Sequence, residues 1–476
     1  MSISSRTIAF VSRRLWSSVA VTESRVRVST LVATSISSFV TPFMSSSINI
    51  ALPAIGKDLG LDAITLGWLP TAALLSSAIL LLPFGRLADI YHRRTIFNLG
   101  LGTYTLASLG ATLAPSGTLL LICRLLQGIA GAMIFATGIA ILTAVYPRER
   151  RGWALGINTA VTYLGLSLGP FLGGIITRYL GWRMVFGINL PFSLAALLMS
   201  PAIPDSASGS AAKFDLTGSI VYAAGVLGLL FGLTRIPDRT AIILSIAGAF
   251  SLLAFLFWER RTASPLLNLQ LLRTNRTFTF SNLAALINYA ATAAVGFLLS
   301  LYLQYLRQID VQTAGMILVC QPVVMALFSP LTGRLADRHE PRLLASLGMG
   351  LTTLGLGLFA LLGPDTPLGL IISALLVLGF GFALFSAPNT SAVMGSLAPA
   401  DYSTGSAILA TMRLLGQSLS LGLAMMLLGI FVGPVRLQPG SATGLLPALR
   451  LGFVIFSLLC FLGIFASLAR GPGRNR

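Results

Sequence analysis

The chain has 476 residues, of which 55% are hydrophobic and only 10% are charged, whereas soluble domains are about 25% charged. This composition excludes a soluble enzyme and a disordered scaffold, because even a soluble domain of about 300 residues buries only about 75% of the surface of its unfolded chain. The net charge of +18 does not indicate a nucleic-acid partner, because the basic residues form short clusters between long apolar runs, as in loops that meet lipid headgroups. We therefore expect an integral membrane protein.

Residues 1–28 are rich in serine and contain five arginines but a single acidic residue, Glu23. We interpret them as a basic cytoplasmic tail. A mitochondrial transit peptide or an over-long gene start has the same composition. The sequence therefore does not decide whether this segment belongs to the mature protein.

Fourteen apolar segments follow this tail, and each is long enough to cross a bilayer, since a span needs about 20 mostly apolar residues. We predict helices because the segments are longer than barrel strands and lack their alternating pattern. Lys and Arg concentrate in the tails and the even-numbered loops, which predicts that both termini are cytoplasmic. The predicted spans are 29–53, 66–85, 95–114, 118–146, 153–177, 184–203, 216–234, 240–258, 277–306, 313–333, 343–363, 367–395, 403–433 and 447–469.

The pentapeptide GRLAD occurs twice, at 85–89 and 333–337, and each copy lies where a span ends and a basic loop begins. Duplicated halves of this kind are typical of transporters. The copies are 248 residues apart, which is two spans more than a six-helix half needs. We therefore predict an all-α integral membrane protein with two six-helix bundles and two additional central helices. The predicted domains are the tail 1–28, the N-terminal bundle 29–203, the inserted pair 204–276, the C-terminal bundle 277–469 and a cytoplasmic tail 470–476.

The loop after the first copy has the pattern of an electrostatic contact. Asp89 lies four residues before Arg93, which is the spacing of an ion pair on a helix, and it lies beside a helix terminus whose dipole attracts charge. We expect this loop to hold one conformation closed, and the alternative is that its charges only set the membrane topology. The candidate gate residues of the two copies are Gly85, Asp89, Arg93, Arg94, Gly333, Asp337 and Arg338.

Two further motifs lie inside predicted spans. RLLQGIAG at 124–131 places Arg124 in the fourth span, with Gln127 one turn later, and an arginine there indicates a functional site unless it snorkels to the surface. GLSLGPFLGG at 165–174 places glycines four apart in the fifth span, which permits close helix packing, and its proline bends the helix. The residues of interest in this second motif are Gly165, Gly169, Pro170, Gly173 and Gly174.

The repeated GRLAD loop, the arginine motif and the glycine motif resemble those of the major facilitator superfamily, and specifically of its fourteen-span drug:proton antiporter branch. The resemblance covers nearly the whole chain and includes NIALP at 49–53 and FDLTG at 214–218. It implies that the GRLAD loop pins two bundles together on the cytoplasmic side, and that the glycine motif belongs to antiporters and exporters. It also implies alternating access around a midplane site, with H⁺ as the coupling ion.

None of the 14 acidic residues lies in the middle of a predicted span, and Met44 stands where antiporters of this branch often carry an aspartate. The proton-carrying residue is therefore unassigned. Arg413 lies roughly 15 Å into its span, with Gln417 one turn later, so it needs polar partners or an anionic ligand. We expect either a neutral or positive cavity or an arginine that fixes helix packing. Candidate cavity residues are Asn49, Asn158, Asn288, Tyr289 and Gln321.

The expected function is a secondary active transporter that exports small amphipathic, drug-like or toxic molecules across the cytoplasmic membrane by proton antiport. The alternative is an exporter or carrier of a specific endogenous neutral or anionic metabolite, without proton coupling. We expect neither an enzyme nor an ATP-driven pump, because the two histidines lie in different halves and no Gly-x-x-x-x-Gly-Lys-Ser/Thr loop is present. We expect no catalytic residue, cofactor or metal, and a monomer in contact with membrane lipid.

Overall fold

The computed structural model describes residues 5–61, 63–204, 214–233, 239–262, 265–267, 269–309, 311–432 and 444–471. In these ranges the regular structure is entirely helical, which confirms the predicted all-α class. The helices are α1 (Ser5–Leu59), α2 (Ala63–Ile90), α3 (Arg93–Thr112), α4 (Gly117–Val145), α5 (Arg148–Leu180), α6 (Arg183–Gly187), α7 (Asn189–Met199), α8 (Leu216–Leu233), α9 (Arg239–Glu259), α10 (Leu269–Thr274), α11 (Arg276–Thr292), α12 (Val295–Leu301), α13 (Val311–Arg338), α14 (Pro341–Ala360), α15 (Leu368–Gly395), α16 (Tyr402–Phe431) and α17 (Leu445–Leu468).

Twelve stretches among the described residues are long and apolar enough to cross a membrane. Two of the fourteen predicted spans are not among them. The first, 95–114, corresponds to α3, which begins with two arginines and contains asparagine and threonine, so its hydropathy is low. The second, 216–234, corresponds to α8, whose apolar stretch Leu216–Gly232 is shorter than a full span. The described residues thus provide twelve candidate membrane helices.

Several helix boundaries differ from the prediction. The basic N-terminal segment is helical from Ser5 and continues into the first span, because no glycine or proline precedes Pro42. The sixth predicted span is interrupted at Ile188, between α6 and α7. The ninth is interrupted at Ala293 and ends in a π turn, a distortion that is often found at functional sites.

The helices pack as two groups and a pair. The first group is α1–α7, the second group is α11–α17, and α8 lies against α9. The α8–α9 pair also contacts the two groups through α2 and α16. The two groups meet mainly through crossed contacts, α2 against α16 and α5 against α13. In each crossed contact, a helix that ends in a GRLAD copy packs on a helix of the other group.

The contact between α5 and α13 is a direct approach of two backbones. A Cβ atom on Gly156 would overlap the carbonyl oxygen of Ser329, and one on Gly333 would overlap the carbonyl oxygen of Gly152. Only residues without a side chain allow helices to come this close. The glycine of the second GRLAD copy therefore helps to set the distance between the two groups.

The substitution Gly156→Ala should force α5 and α13 apart, because the new methyl group would overlap a backbone carbonyl oxygen that moves only with its helix. We expect the free energy of unfolding to fall by about 1–3 kcal/mol, measured as a lower melting temperature of the purified protein. Gly138→Ala is the matched control, since nothing lies within 4 Å of a Cβ atom there. Equal melting temperatures for the two variants would contradict this packing argument.

Candidate functional site

Both GRLAD copies lie at one end of the molecule, which we call the motif face. Here α2 ends at Ile90 and α13 ends at Arg338, while α5 begins at Arg148 and α16 begins at Tyr402. The start of a helix presents backbone N–H groups and the positive end of the helix dipole. The acidic residues at the ends of α2 and α13 are therefore placed beside electropositive helix starts in the other group.

Asp89 of the first copy binds the start of α16. Its Oδ1 accepts a hydrogen bond from the Ser403 N–H at 3.0 Å, and its Oδ2 accepts one from the Thr404 N–H at 2.7 Å. Gly85, one turn earlier, permits this approach, because a Cβ atom there would lie 2.5 Å from the Cβ of Ala407. The Asp89 side chain is only 2% exposed, so its charge acts in surroundings from which water is excluded.

Arg93 completes this contact. Its Nη2 donates to Asp89 Oδ1 at 2.9 Å and to the carbonyl oxygen of Pro399, and its Nε donates to Ser403 Oγ at 2.9 Å. The ion pair expected from the spacing is therefore present, and both side chains are 2% exposed. A buried guanidinium needs this many acceptors to offset its lost hydration. Because those acceptors come from both groups, Arg93 ties α3 to the start of α16.

Asp337 of the second copy makes the equivalent contact with α5. Its Oδ1 accepts a hydrogen bond from the Gly152 N–H at 2.6 Å, and its Oδ2 accepts one from the Trp153 N–H at 3.0 Å. The Arg334 guanidinium carbon lies 5.6 Å from the centroid of the Trp153 ring. Each copy thus binds a helix of the other group. We use the term latch for the two aspartate carboxylates, Arg93 and the four N–H groups that the carboxylates bind.

Tyr402 connects the two halves of the latch. The guanidinium carbons of Arg93 and Arg151 lie 5.4 and 5.7 Å from the centroid of its ring. Arg151 directly precedes Gly152, which binds Asp337. Each cation–π contact of this kind contributes about 0.5–2 kcal/mol. The same ring therefore links the two aspartate sites.

Two further gate candidates, Arg94 and Arg338, directly follow the latch residues Arg93 and Asp337. Arg94 Nη1 donates to the carbonyl oxygen of Ile203 at 3.1 Å, which ties the start of α3 to the segment after α7. Arg338 is the last residue of α13 and is exposed. These two arginines add positive charge to the motif face. The hydrogen bonds between the two groups described above come from Asp89, Arg93 and Asp337.

At the opposite face, a polar cluster lies within the first group. Arg183 pairs with Asp58 at 2.5 Å and donates to the carbonyl oxygen of Ala114 at 3.1 Å, and Trp182 Nε1 donates to Asp58 at 3.0 Å. The hydrogen bonds from Arg183 and Trp182 lower the pKa of Asp58. The bonds of Asp89, Arg93 and Asp337 join the two groups at the motif face, so the molecule is closed there.

Midway along the helices, an aromatic cluster joins the two groups. The Oη atoms of Tyr163 and Tyr289 lie 3.4 Å apart, and both rings meet Phe382 edge-on. The Arg413 guanidinium carbon lies 5.2 Å from the centroid of the Tyr289 ring. Arg413 is partly exposed although it lies about 16 Å along α16, and no described ion pair involves it. We call Arg413 with these three rings the Arg413 site; it combines a positive charge with aromatic walls.

Arg124 and Gln127 form a closed network inside the first group. Arg124 Nε donates to the carbonyl oxygen of Leu69 at 2.9 Å, and its Nη1 donates to Gln127 Oε1 at 2.7 Å. Gln127 Nε2 donates in turn to Ser108 Oγ at 2.9 Å. Both side chains are 2% exposed. The guanidinium is thus directed at neighbouring helices rather than at the surface, and it ties α4 to α2 and α3 through neutral partners.

The glycine motif of α5 packs against α1. A Cβ atom on Gly165, Gly169 or Gly173 would come within 3.0 Å of an atom of α1, whereas one on Gly174 would have its nearest neighbour at 3.7 Å. Pro170 lies inside α5, which remains a continuous helix. In the closed molecule, this motif therefore serves close packing within the first group.

The five cavity candidates are dispersed over the molecule. Asn158 Nδ2 donates at 2.9 Å to a serine of α1 and so bridges two helices, while Asn49 is exposed and bonds within its own helix. Asn288 is fully buried, and neither its Nδ2 nor its Oδ1 has a partner among the described residues. Of the five, only Tyr289 contacts Arg413. Gln321 and Gln417 are partly exposed.

The partners of the latch aspartates were missed from the sequence. They are backbone N–H groups, which any residue type can supply, and the only signal available was Pro399, since proline is common at a helix start. Tyr402 and Arg151 were missed as well, because an aromatic residue and an arginine near helix ends have no distinctive spacing.

Replacing Asp89 by Asn should weaken the latch, because the buried Arg93 then loses its carboxylate. Removing one partner of a buried ion pair costs about 3–5 kcal/mol, so we expect the closed population to fall. Spin labels on cysteines at the exposed residues His92 and Ala400, in a chain whose native cysteines are replaced by serine, would show a longer distance. Asp58→Asn is the matched control, since that pair is exposed and lies at the opposite face. An unchanged distance in Asp89→Asn would count against the latch.

Comparisons with known proteins agree with this architecture. The chain matches the Major Facilitator Superfamily model over residues 34–258 and 282–475. The fold is similar to that of a human organic anion transporter, with a TM-score of 0.61 and 15% identity, over 94% of this chain and 99% of the other. It is also similar to that of a proton:xylose symporter, with a TM-score of 0.62 and 14% identity, over 93% and 95% of the two chains.

Proteins with higher sequence identity to this chain are transport proteins as well. The chain is 30% identical over 391 residues to a riboflavin transporter of Clostridioides difficile, covering 82% of this chain and 85% of the relative. It is 31% identical over 403 residues to a cephamycin export protein of Amycolatopsis lactamdurans, covering 82% and 83%. It is 28% identical over 405 residues to a multidrug resistance protein of Mycobacterium tuberculosis, covering 83% and 74%. The chain therefore belongs to the major facilitator superfamily and is an integral membrane transporter, not an enzyme.

Proposed function

We propose that the protein is a secondary active exporter of small amphipathic molecules, which works by alternating access and proton antiport. The observation that carries this proposal is the latch, which closes one face while the Arg413 site lies midway along the helices. A carrier built in this way moves its substrate by opening the latch and closing the opposite face. Export is supported by the names of two relatives, a cephamycin export protein and a multidrug resistance protein.

For the membrane topology, we propose that the motif face is cytoplasmic and that both termini lie there. Support comes from the basic loops at this face, and from Tyr146 at the end of α4, which donates to the carbonyl oxygen of Arg27 in the basic segment. We further propose that α3 and α8 also cross the membrane, since each packs along helices that are long enough to span it. The chain then has fourteen membrane helices, with the pair 204–276 between the bundles 29–203 and 277–469.

Labelling with a membrane-impermeant thiol reagent would test this topology. Single cysteines at the exposed residues His92 and Pro115 bracket α3, and those at Leu216 and Arg239 bracket α8. In intact cells, we expect the reagent to label positions 115 and 239 only, and in inverted vesicles positions 92 and 216 only. Labelling of both members of a pair from the same side would mean that the helix between them does not span.

For the substrate, we propose a neutral or anionic amphipathic molecule bound at the Arg413 site. Arg413 and Tyr289 offer a cation and an aromatic ring, and a lipophilic cation would meet a like charge there. The second candidate function is a carrier for one endogenous metabolite without proton coupling. It is favoured by the riboflavin transporter among the relatives and by Met44, whose Sδ accepts a hydrogen bond from Asn189 at a position where an acid would serve proton coupling.

Inverted membrane vesicles with a respiration-generated pH gradient would test antiport. We expect a neutral or anionic compound from a mixed panel to dissipate the gradient, followed with a pH-sensitive dye, because each exported molecule would be exchanged for protons. Vesicles with the native protein should show this effect, and vesicles with Asp89→Asn should not. Accumulation of a labelled compound without dissipation would favour the uncoupled carrier over the antiporter.

Inverted vesicles that contain the Arg413→Gln variant would test the role of positive charge at the Arg413 site. We expect the KM for an anionic compound to rise about tenfold or more, because a hydrogen bond to a charged group contributes about 1.5–3 kcal/mol, and the KM for a neutral compound to change less. Tyr289→Phe keeps the ring below the guanidinium and should retain both KM values. Direct binding of an organic cation to the native protein would contradict the proposed substrate charge.

A further inference from the structure

The α8–α9 pair brings two acidic residues together at the motif face. Asp215 directly precedes α8 and Glu259 ends α9, and they are 9% and 3% exposed. Both carboxylates are directed at Gly218: a Cβ atom there would overlap Asp215 Oδ2 and would lie 3.0 Å from Glu259 Oε1. The two carboxylates therefore meet in the space that a side chain at Gly218 would fill.

The two carboxylates differ in their hydrogen-bond donors. Asp215 Oδ1 accepts from the Gly218 N–H at 2.9 Å, and its Oδ2 accepts from Trp258 Nε1 at 2.8 Å. Glu259 Oε2 accepts from the Leu267 N–H at 2.9 Å, whereas Oε1 is buried without a partner among the described residues. Two adjacent buried carboxylates do not ionise independently, and hydrogen-bond donors favour the charged form. Glu259 Oε1, the carboxylate oxygen of the pair that is buried without a donor among the described residues, is thus the place for a proton.

Arg86 connects this acidic pair to the latch. It is the second residue of the first GRLAD copy, and its Nε is buried without a hydrogen-bond partner among the described residues. Its positive charge acts on both Glu259 and Asp401, which directly precedes α16. Tyr222 of α8 also bonds to both helices of this half of the latch, at 3.3 Å to α2 and at 3.2 Å to α16. The α8–α9 pair is therefore placed where α2 and α16 separate when the latch opens.

We propose that Glu259 is a proton-binding site that controls the latch through Arg86. With a proton on Glu259, Arg86 faces Asp401 and supports the contact of α2 with α16. When this proton leaves to solvent at the motif face, the ionised Glu259 attracts Arg86 away from Asp401, and the latch weakens. The groups that face Glu259 are Asp215 from α8 and Arg86 from α2. This control applies to any substrate and to either direction of transport, so it goes beyond the proposed export function.

The spin-label pair at residues 92 and 400 would test this proposal in the purified full-length protein, without a substrate. In the native sequence, we expect the closed distance at acidic pH and a growing population of the longer distance as the pH rises. Glu259→Gln cannot ionise and should remain closed throughout. Glu340→Gln is the matched control, because Glu340 is an exposed carboxylate paired with Arg342 at the same face, and it should keep the native pH profile.

Asp215→Asn provides a second test that does not depend on the folding of Glu259→Gln. Asparagine retains an acceptor for the Gly218 N–H but removes the neighbouring negative charge, so Glu259 should ionise more readily. We expect the opening transition to move to lower pH by about one pH unit, with the same elution volume in size-exclusion chromatography. The proposal would be overturned if Glu259→Gln kept the native pH profile or if Glu340→Gln lost it. It would also be overturned if the opening transition of Asp215→Asn stayed at the native pH.

Discussion

A carboxylate that binds the N–H groups of a helix in the other half is the contact on which the closed molecule depends. Asp89 and Asp337 each accept two such bonds, and both lie where helix dipoles favour negative charge. A contact of this kind is either fully formed or fully broken, because a charge that is buried without its partners raises the free energy. The latch therefore favours two discrete states over a continuous range, as alternating access requires.

The two intramembrane arginines show how partners decide the role of a residue type. Arg124 has neutral acceptors from α2 and α4 and forms part of the packing of the first group. Arg413 has a tyrosine ring beside it, is partly exposed, and makes no ion pair within the described ranges. Position within a span alone would have made both arginines candidates for a substrate or proton site. Counting acceptors separates the arginine that is satisfied within the first group from the one that we propose as part of the substrate site.

Local sequence was sufficient to predict the helical class and the pair of Asp89 with Arg93, because apolar length and i,i+4 spacing are local properties. It was not sufficient for α3 and α8, whose lengths and polar content fall at the margin of what a span requires. It also could not show that Asn158 bridges two helices while Tyr289 meets Arg413, since both facts depend on which helices become neighbours.

The crossed arrangement of the GRLAD copies has an evolutionary consequence. Because each copy binds a helix of the other half, neither half can satisfy its own aspartate. Two identical halves related by a twofold axis would satisfy both, since such an interface pairs one patch with its counterpart twice. The chain is in this respect a fused homodimer. A dimer of single halves would already make both contacts, and joining the halves in one chain requires only a connection, the position that α8 and α9 occupy.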